Sequence, residues 1–127
     1  MKTYFIIYVE DFYKSKIFYE LLFNIKPIID EPGMVEFRLP DNSTFGIMPN
    51  TSLEKLFGSD FKIEKHRKSL PKTELYFLVD DAISFHNKAI QLGSTEIRAF
   101  SEMDWGHKVA YSLNHDGHIL AFAEIIK

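Results

Sequence analysis

"TYFIIYVEDFYKSKIFYELLF", residues 3–23, changes its periodicity half-way along. From Tyr4 to Val9 the chain is β-rich and apolar at nearly every position, where a half-exposed strand would alternate; the run therefore reads as a strand covered on both faces. Asp11 suits a helix N-cap, because its short carboxylate can accept from the free amides of a first turn. Behind it Phe12, Ile17, Phe18, Leu21 and Leu22 recur at helical spacing, and Asn24 and Pro27 end the helix. "MVEFRLP" (34–40) and "STFGIMP" (43–49) then read as two strands joined by the tight turn "PDNS".

The same order returns further along. "ELYFLV" (74–79) is an apolar strand, Asp80 or Asp81 caps, "AISFHNKAIQL" is amphipathic, and Gly93 suits the position after a helix end. "TEIRAF" (95–100) reads as a strand, and "KVAYSL" and "HILAFAEI" as a hairpin across "NHDG". A shift of 70 lays Val9 on Val79, Asp11 on Asp81 and Leu22 on Leu92; a shift of 74 lays "LPDNS" on "LNHDG". The chain thus reads as α+β, with two βαβββ modules in a single domain. Module one spans about 1–49, a linker about 50–73, and module two about 74–127. Neither module has residues enough for a comfortable core alone. Pairing them into one cupped mixed sheet with helices outside would supply it and leave a cleft. The sequence leaves open whether they pair within one chain or swap between two.

Composition narrows the function classes. Of 127 residues 46% are hydrophobic, enough for a core, and the net charge is −3 with Lys and Arg spread along the chain. A phosphate backbone needs a concentrated basic face, so nucleic acid is not the expected partner. The one basic cluster, "KIEKHRK" at 62–68, is broken by Glu64 and reads as a solvated face. There is no cysteine, which excludes disulfides, zinc–thiolate sites and cysteine nucleophiles. The apolar run Tyr4–Val9 is too short for a membrane span or a signal segment, so a cytoplasmic protein without membrane partners is expected. Aromatics are 15% of the chain, with 12 Phe and 6 Tyr, which fits either a Phe-rich core or an aromatic cavity.

Three stretches carry a family resemblance: "YVEDFYKSKIFYELLF" near the start, "LYFLVDD" opening the second half, and "DWGHKVAYSLNHDGHILAFAE" at the end. In order and spacing they resemble the vicinal-oxygen-chelate superfamily of glyoxalases, bleomycin-resistance proteins and extradiol dioxygenases, across essentially the whole chain. The resemblance implies two βαβββ modules forming a cup. It also implies one of two uses: enzymes with a divalent metal held by one residue from each of four strands, or metal-free members that trap a drug or apolar ligand, usually as a homodimer.

The four metal positions of such relatives can be placed on this chain. The first, usually His, falls on Tyr4; the second on Glu74; the third on Gly46 or Ile47; the last, usually Glu, on Ala121. Glu74 alone binds a hard or borderline cation well, whereas a catalytic metal needs about three protein ligands. No metal and no cofactor are therefore expected. His115 and His118 flank Asp116 and Gly117 in "NHDGH", with His107 nearby, but Asn114, Asp116 and Gly117 are explained by turn chemistry. The histidines read as solvated turn side chains. Glu124 is an odd number of residues from Ala121, so alternation sends it to the opposite sheet face.

The ligand positions that the resemblance implies fix which face is the inside of the cup, and alternation carries that face along each strand. Tyr4, Ile6 and Tyr8 face it, as do Glu74, Tyr76 and Leu78, with Ile119, Ala121 and Ala123 from the last strand. Phe45, Met48, Trp105 and either Phe37 or Arg38 are placed at the wall or rim, with Trp105 either a binding element or a cap on the sheet edge. Ligand contacts are thus expected from Tyr4, Ile6, Tyr8, Phe45, Met48, Glu74, Tyr76, Trp105 and Ala121. The resulting expectation is a metal-free homodimeric protein binding an aromatic or amphipathic small molecule, with or without a cationic group, in a role of the antibiotic-resistance kind. The alternative is a lyase, isomerase or dioxygenase-like enzyme of the same superfamily, with Glu74 as base or a divalent metal in a degenerate site. A structural or regulatory dimer with a vestigial cup is a third reading.

Overall fold

In a computed structural model that describes residues 1–61 and 70–127, the chain divides into two units, Met1–Lys68 and Ser69–Lys127. The basic cluster at 62–68 lies outside the described residues.

The first unit runs β1 (Tyr4–Val9), α1 (Phe12–Phe23), β2 (Ile29–Glu31), β3 (Met34–Arg38), β4 (Thr44–Pro49), α2 (Thr51–Phe57) and a 3₁₀ turn (Ser59–Phe61). Its four strands lie in the order β1-β4-β3-β2, with β1 parallel to β4 and the rest antiparallel. Asp11 caps α1 as its sequence position suggests, its Oδ1 accepting from the Lys14 amide at 3.1 Å. Asn24, left-handed at φ 53°, ends it. The helix meets the sheet along Ser15, Phe18, Tyr19 and Leu22. Ile17 and Leu21, read as part of that apolar stripe, are 56% and 49% exposed. The reason is that α1 is apolar most of the way round, so 3.6-residue spacing fits more than one stripe. The sheet offers Ile7, Val9, Val35, Phe37, Phe45 and Ile47, all buried, and the Tyr19 and Phe45 rings meet edge-on at 4.8 Å.

The turn before β4 is held locally. Asp41 Oδ1 accepts from the Ser43 amide at 2.9 Å and from its hydroxyl at 2.5 Å. Those two donors keep the Asp41 carboxyl below the ordinary range. Two elements were not placed by the sequence. β2 is a short exposed strand with no apolar alternation to betray it, and α2 occupies part of what reads as linker.

The second unit runs β5 (Glu74–Leu78), α3 (Ala82–Gln91), β6 (Thr95–Glu102), β7 (His107–Leu113) and β8 (Ile119–Ile125), with strand order β5-β8-β7-β6. Again the strand before the helix pairs in parallel with the last strand, and the others are antiparallel. Of the two candidate caps Asp81 serves, accepting from the Ser84 amide at 3.1 Å. A second carboxylate reaches the same helix end: Glu124 Oε2 accepts from the Ala82 amide at 2.8 Å. A negative charge there also opposes the positive end of the helix dipole. The core face is aromatic, with Phe122 stacked between Phe77 at 5.5 Å and Phe85 at 5.4 Å. Both sheets are mixed, each with its long helix on one face, giving an α+β fold of two βαβββ units. No helix among the described residues is long and apolar enough to cross a membrane.

Candidate functional site

Each sheet has one face covered by its helix and one turned away from it. In the first unit β1 alternates as expected, so Tyr4, Ile6 and Tyr8 lie on the face away from α1, with Tyr4 51% and Ile6 42% exposed. The register sets Tyr4 beside Thr44 and Arg38, Ile6 beside Gly46 and Glu36, and Tyr8 beside Met48. Phe45 does not join them. It is 2% exposed, on the α1 side, packed against Tyr19 and Phe23. Phe37 is buried there too, so of the pair Phe37 and Arg38 only Arg38 is on the open face. The physical reason is parity: Gly46 pairs with Ile6, so its strand neighbours Phe45 and Ile47 point to the helix. Glu36, 9% exposed, is an open-face carboxylate that the reading of the sequence missed. Alternation in "MVEFR", with Val35 and Phe37 inward, was the signal that could have found it.

In the second unit Glu74, Tyr76 and Leu78 of β5 share the open face with Ile119, Ala121 and Ala123 of β8 and with Val109 and Tyr111 of β7. Val109, Ala121 and Ala123 form a fully buried floor, and Tyr111 and Met103 pack against it. Register brings Tyr76, Ala121 and Tyr111 side by side, so a small residue separates two phenols. Burial raises the Tyr111 hydroxyl above the usual phenol range; the negative charge of Glu74 and the neighbouring Tyr76 push the same way, and Arg98 opposes. Tyr111 was not picked out from sequence, although strand pairing across "NHDG" would have set it opposite Ala121.

Trp105 and His107 close one end of this face. The Trp105 indole is 52% exposed, yet its Nε1–H donates to the Tyr76 hydroxyl at 3.0 Å. The same hydroxyl lies 2.5 Å from His107 Nδ1, and the two rings are 5.8 Å apart. Trp105 is therefore both exposed and anchored. His107 is not a loop histidine but the first residue of β7, bonded to β5.

His115 and His118 belong to the turn that Asn114 closes. Asn114 Oδ1 accepts from the amides of Asp116 at 3.0 Å and His118 at 2.9 Å, and Gly117 takes φ 82°. That is Asx-turn chemistry, as the residue types suggest. His118, however, is not a solvated side chain. Its Nδ1 shares a hydrogen bond with Thr73 Oγ1, its Nε2 lies 3.1 Å from Asp116 Oδ2, and the residue is 9% exposed. The partner is Thr73, 45 residues away in sequence, which is why turn logic alone misplaced it.

At the four positions that the resemblance assigns to metal ligands stand a phenol (Tyr4), a glycine or an isoleucine (Gly46 or Ile47), a carboxylate (Glu74) and an alanine (Ala121), so only Tyr4 and Glu74 offer a side-chain donor. A Cβ at Gly46 would come within 3.2 Å of Ile6 Cγ1, a tight contact with the neighbouring side chain. Such a set does not fit a catalytic divalent metal. No three His, Asp or Glu side chains come together among the described residues. Glu124 cannot substitute, since it faces α3 and caps it. A cavity of about 680 Å³ takes Leu78 and Ile125 from the open face together with Val79, Ile126 and the charged Asp80, Glu102, Lys108, Glu124 and Lys127, and none of Tyr76, Trp105 or Tyr111.

Residues 2–127 match the family model described as a glyoxalase-like domain. No curated protein matches the sequence. Among solved structures, the chain is similar to a glyoxalase/bleomycin resistance protein/dioxygenase family enzyme from Burkholderia phytofirmans PsJN. That likeness has a TM-score of 0.83, 22% identity and 98% of both chains covered. A glyoxalase-related enzyme from Fulvimarina pelagi gives TM-score 0.76 at 17% identity, covering 98% of this chain and 87% of that one. A glyoxalase/bleomycin resistance protein/dioxygenase from Nocardioides gives 0.78 at 12%, covering 100% and 84%. At these identities the likeness is one of fold.

Proposed function

This chain belongs to the glyoxalase-like domain family, and from that premise we propose that it binds an aromatic or amphipathic small molecule without the help of a divalent metal. The observation that carries the reading is the open face of the second unit. There an exposed indole and two phenols line the face, backed by a fully buried layer of Val109, Ala121 and Ala123, and Ala121 falls where a metal-using relative would present a carboxylate. Aromatic surfaces with a few placed polar groups favour planar ligands. Glu74 supplies a negative charge at the other end of this face, which favours a cationic substituent. Exposed Tyr4 and Ile6, with half-buried Tyr8 and Met48, give the first unit an apolar surface of its own.

Trp105 is the only tryptophan of the chain, so its fluorescence reports on this face directly. Titration with proflavine, a planar cation, is expected to change the emission saturably. Glu74→Gln should weaken binding by about 1.5-fold to fivefold, the range for a largely exposed charge pair. An absence of saturable change with proflavine or other planar aromatics would sink the binding reading. Stoichiometric, tightly held metal in the purified protein would sink its metal-free part.

A second reading has one observation behind it. Glu74 and Tyr111 share the open face, and the charge of Glu74 reaches the Tyr111 hydroxyl, an arrangement that suits a base beside a hydrogen-bonding phenol. In that case Glu74→Gln would abolish turnover while leaving proflavine binding largely in place.

A further inference from the structure

The Trp105–Tyr76–His107 chain has a direction. An indole nitrogen can only donate, so the Tyr76 oxygen accepts from Trp105 Nε1 at 3.0 Å. A hydroxyl that accepts one bond is polarised into a better donor. Of the two directions open to its 2.5 Å contact with His107 Nδ1, donation by Tyr76 is the one that leaves the phenol's single proton bonded. A neutral imidazole accepting at Nδ1 carries its hydrogen on Nε2. His107 is only part-buried, and its Nε2 is bonded to nothing among the described residues. The end of the chain is therefore a spare N–H donor, oriented by two further side chains and set beside an exposed indole.

We propose that this end of the second unit is a subsite for a planar aromatic group bearing a neutral hydrogen-bond acceptor, a ring carbonyl or its equivalent, stacked on Trp105 and accepting from His107 Nε2–H. The proposal rests on the binding reading above and names the chemistry of that ligand. Register keeps the two polar anchors apart. Glu74 pairs with Ile119 and His107 with Ile125, which separates their rows by about 20 Å along β8. One small polar substituent cannot serve both. A ligand that uses both carries its acceptor at the His107 end and any positive charge at the Glu74 end. Tyr76 is a positioning residue here, since it fixes which imidazole nitrogen bears the hydrogen.

Fluorenone and fluorene test this, being planar tricycles that differ by a carbonyl in place of a methylene. Followed by Trp105 fluorescence, fluorenone is expected to bind about fivefold to tenfold more tightly, the worth of one hydrogen bond. His107→Phe should erase the difference, and His107→Gln, which keeps an N–H donor, should retain part of it. Nitrogen NMR of the His107 ring in the unaltered protein should show Nε2 protonated, and Tyr76→Phe should weaken that preference; this measurement stands even if a His107 variant fails to fold. Equal binding of the two tricycles overturns the subsite and leaves the binding reading intact, as does a preference that survives in His107→Phe. A ring protonated mainly on Nδ1 overturns it as well. Failure of proflavine, fluorenone and fluorene alike overturns the binding reading itself and the subsite with it.

Discussion

Asn114→Ala tests how the β7–β8 hairpin is held in register. The side-chain oxygen accepts from two amides, Asp116 at 3.0 Å and His118 at 2.9 Å, and Asn114 itself is 5% exposed. Alanine removes both bonds at about 1 kcal/mol each and strands the buried His118 amide, a further cost of the same order, for a total of about 2–3 kcal/mol. With roughly 3–5 °C per kcal/mol for a domain of this size, Tm should fall by about 6–15 °C. Asn114→Asp keeps an acceptor at the same place and should lose less than about 1 kcal/mol. Urea unfolding by far-UV circular dichroism gives both numbers, and an unchanged m-value would assign the loss to the folded state. The reasoning fails if alanine costs less than about 0.5 kcal/mol, or if aspartate costs as much as alanine. The hairpin matters beyond stability, because a slip of one residue would turn Tyr111 and Ala121 from the open face to the helix face.

Phe122→Ala should lose about 3–5 kcal/mol in urea unfolding, because the ring is fully buried and stacked on both Phe77 and Phe85; a loss under about 1.5 would mean the two flanking rings close the gap. Glu124→Ala should cost about 1 kcal/mol through the lost bond to the Ala82 amide and the helix dipole, with Glu124→Gln recovering about half. For Tyr111 the sign follows from its raised value: the folded chain holds the phenolic proton more tightly than the unfolded chain, so stability declines as pH climbs through the tyrosine range. Glu74→Gln should bring that titration downward in near-ultraviolet difference spectra, and an unmoved titration would show that Glu74 does not reach Tyr111.

What could be read from the chain was mostly what its residues do to near neighbours. Asp11 and Asp81 cap their helices, Asp41 and Ser43 close one turn and Asn114 the other, each through bonds within a few residues. Strand alternation likewise put Tyr4, Ile6 and Tyr8 on one face and Glu124 on the other. The misses share a different cause. Phe45 was misplaced because its parity depends on which β4 residue pairs with Ile6, a partner some forty positions away. His118 was misplaced because Thr73, not the turn, decides its environment. The stripe that α1 buries is chosen by the sheet beneath it, and Ile17 and Leu21 lost to Ser15 and Tyr19. The Tyr76–His107 bond joins two strands that are not sheet neighbours, so neither periodicity nor pairing could announce it.

β6 has a bearing on solubility that its modest length conceals. It pairs only with β7, so it is an edge of its sheet, and exposed edges are where one chain can template another. Its pairing breaks register twice, between Glu96 and Arg98 and again between Arg98 and Ser101, and charged Glu96, Arg98 and Glu102 stand along it. A second copy would have to match both irregularities and bring like charges together. Smoothing this strand, by deleting the residue that makes either irregularity or by exchanging its charges for β-branched residues, would turn the domain toward aggregation, and any change at Arg98, the register partner of Tyr111, would reach the ligand face as well.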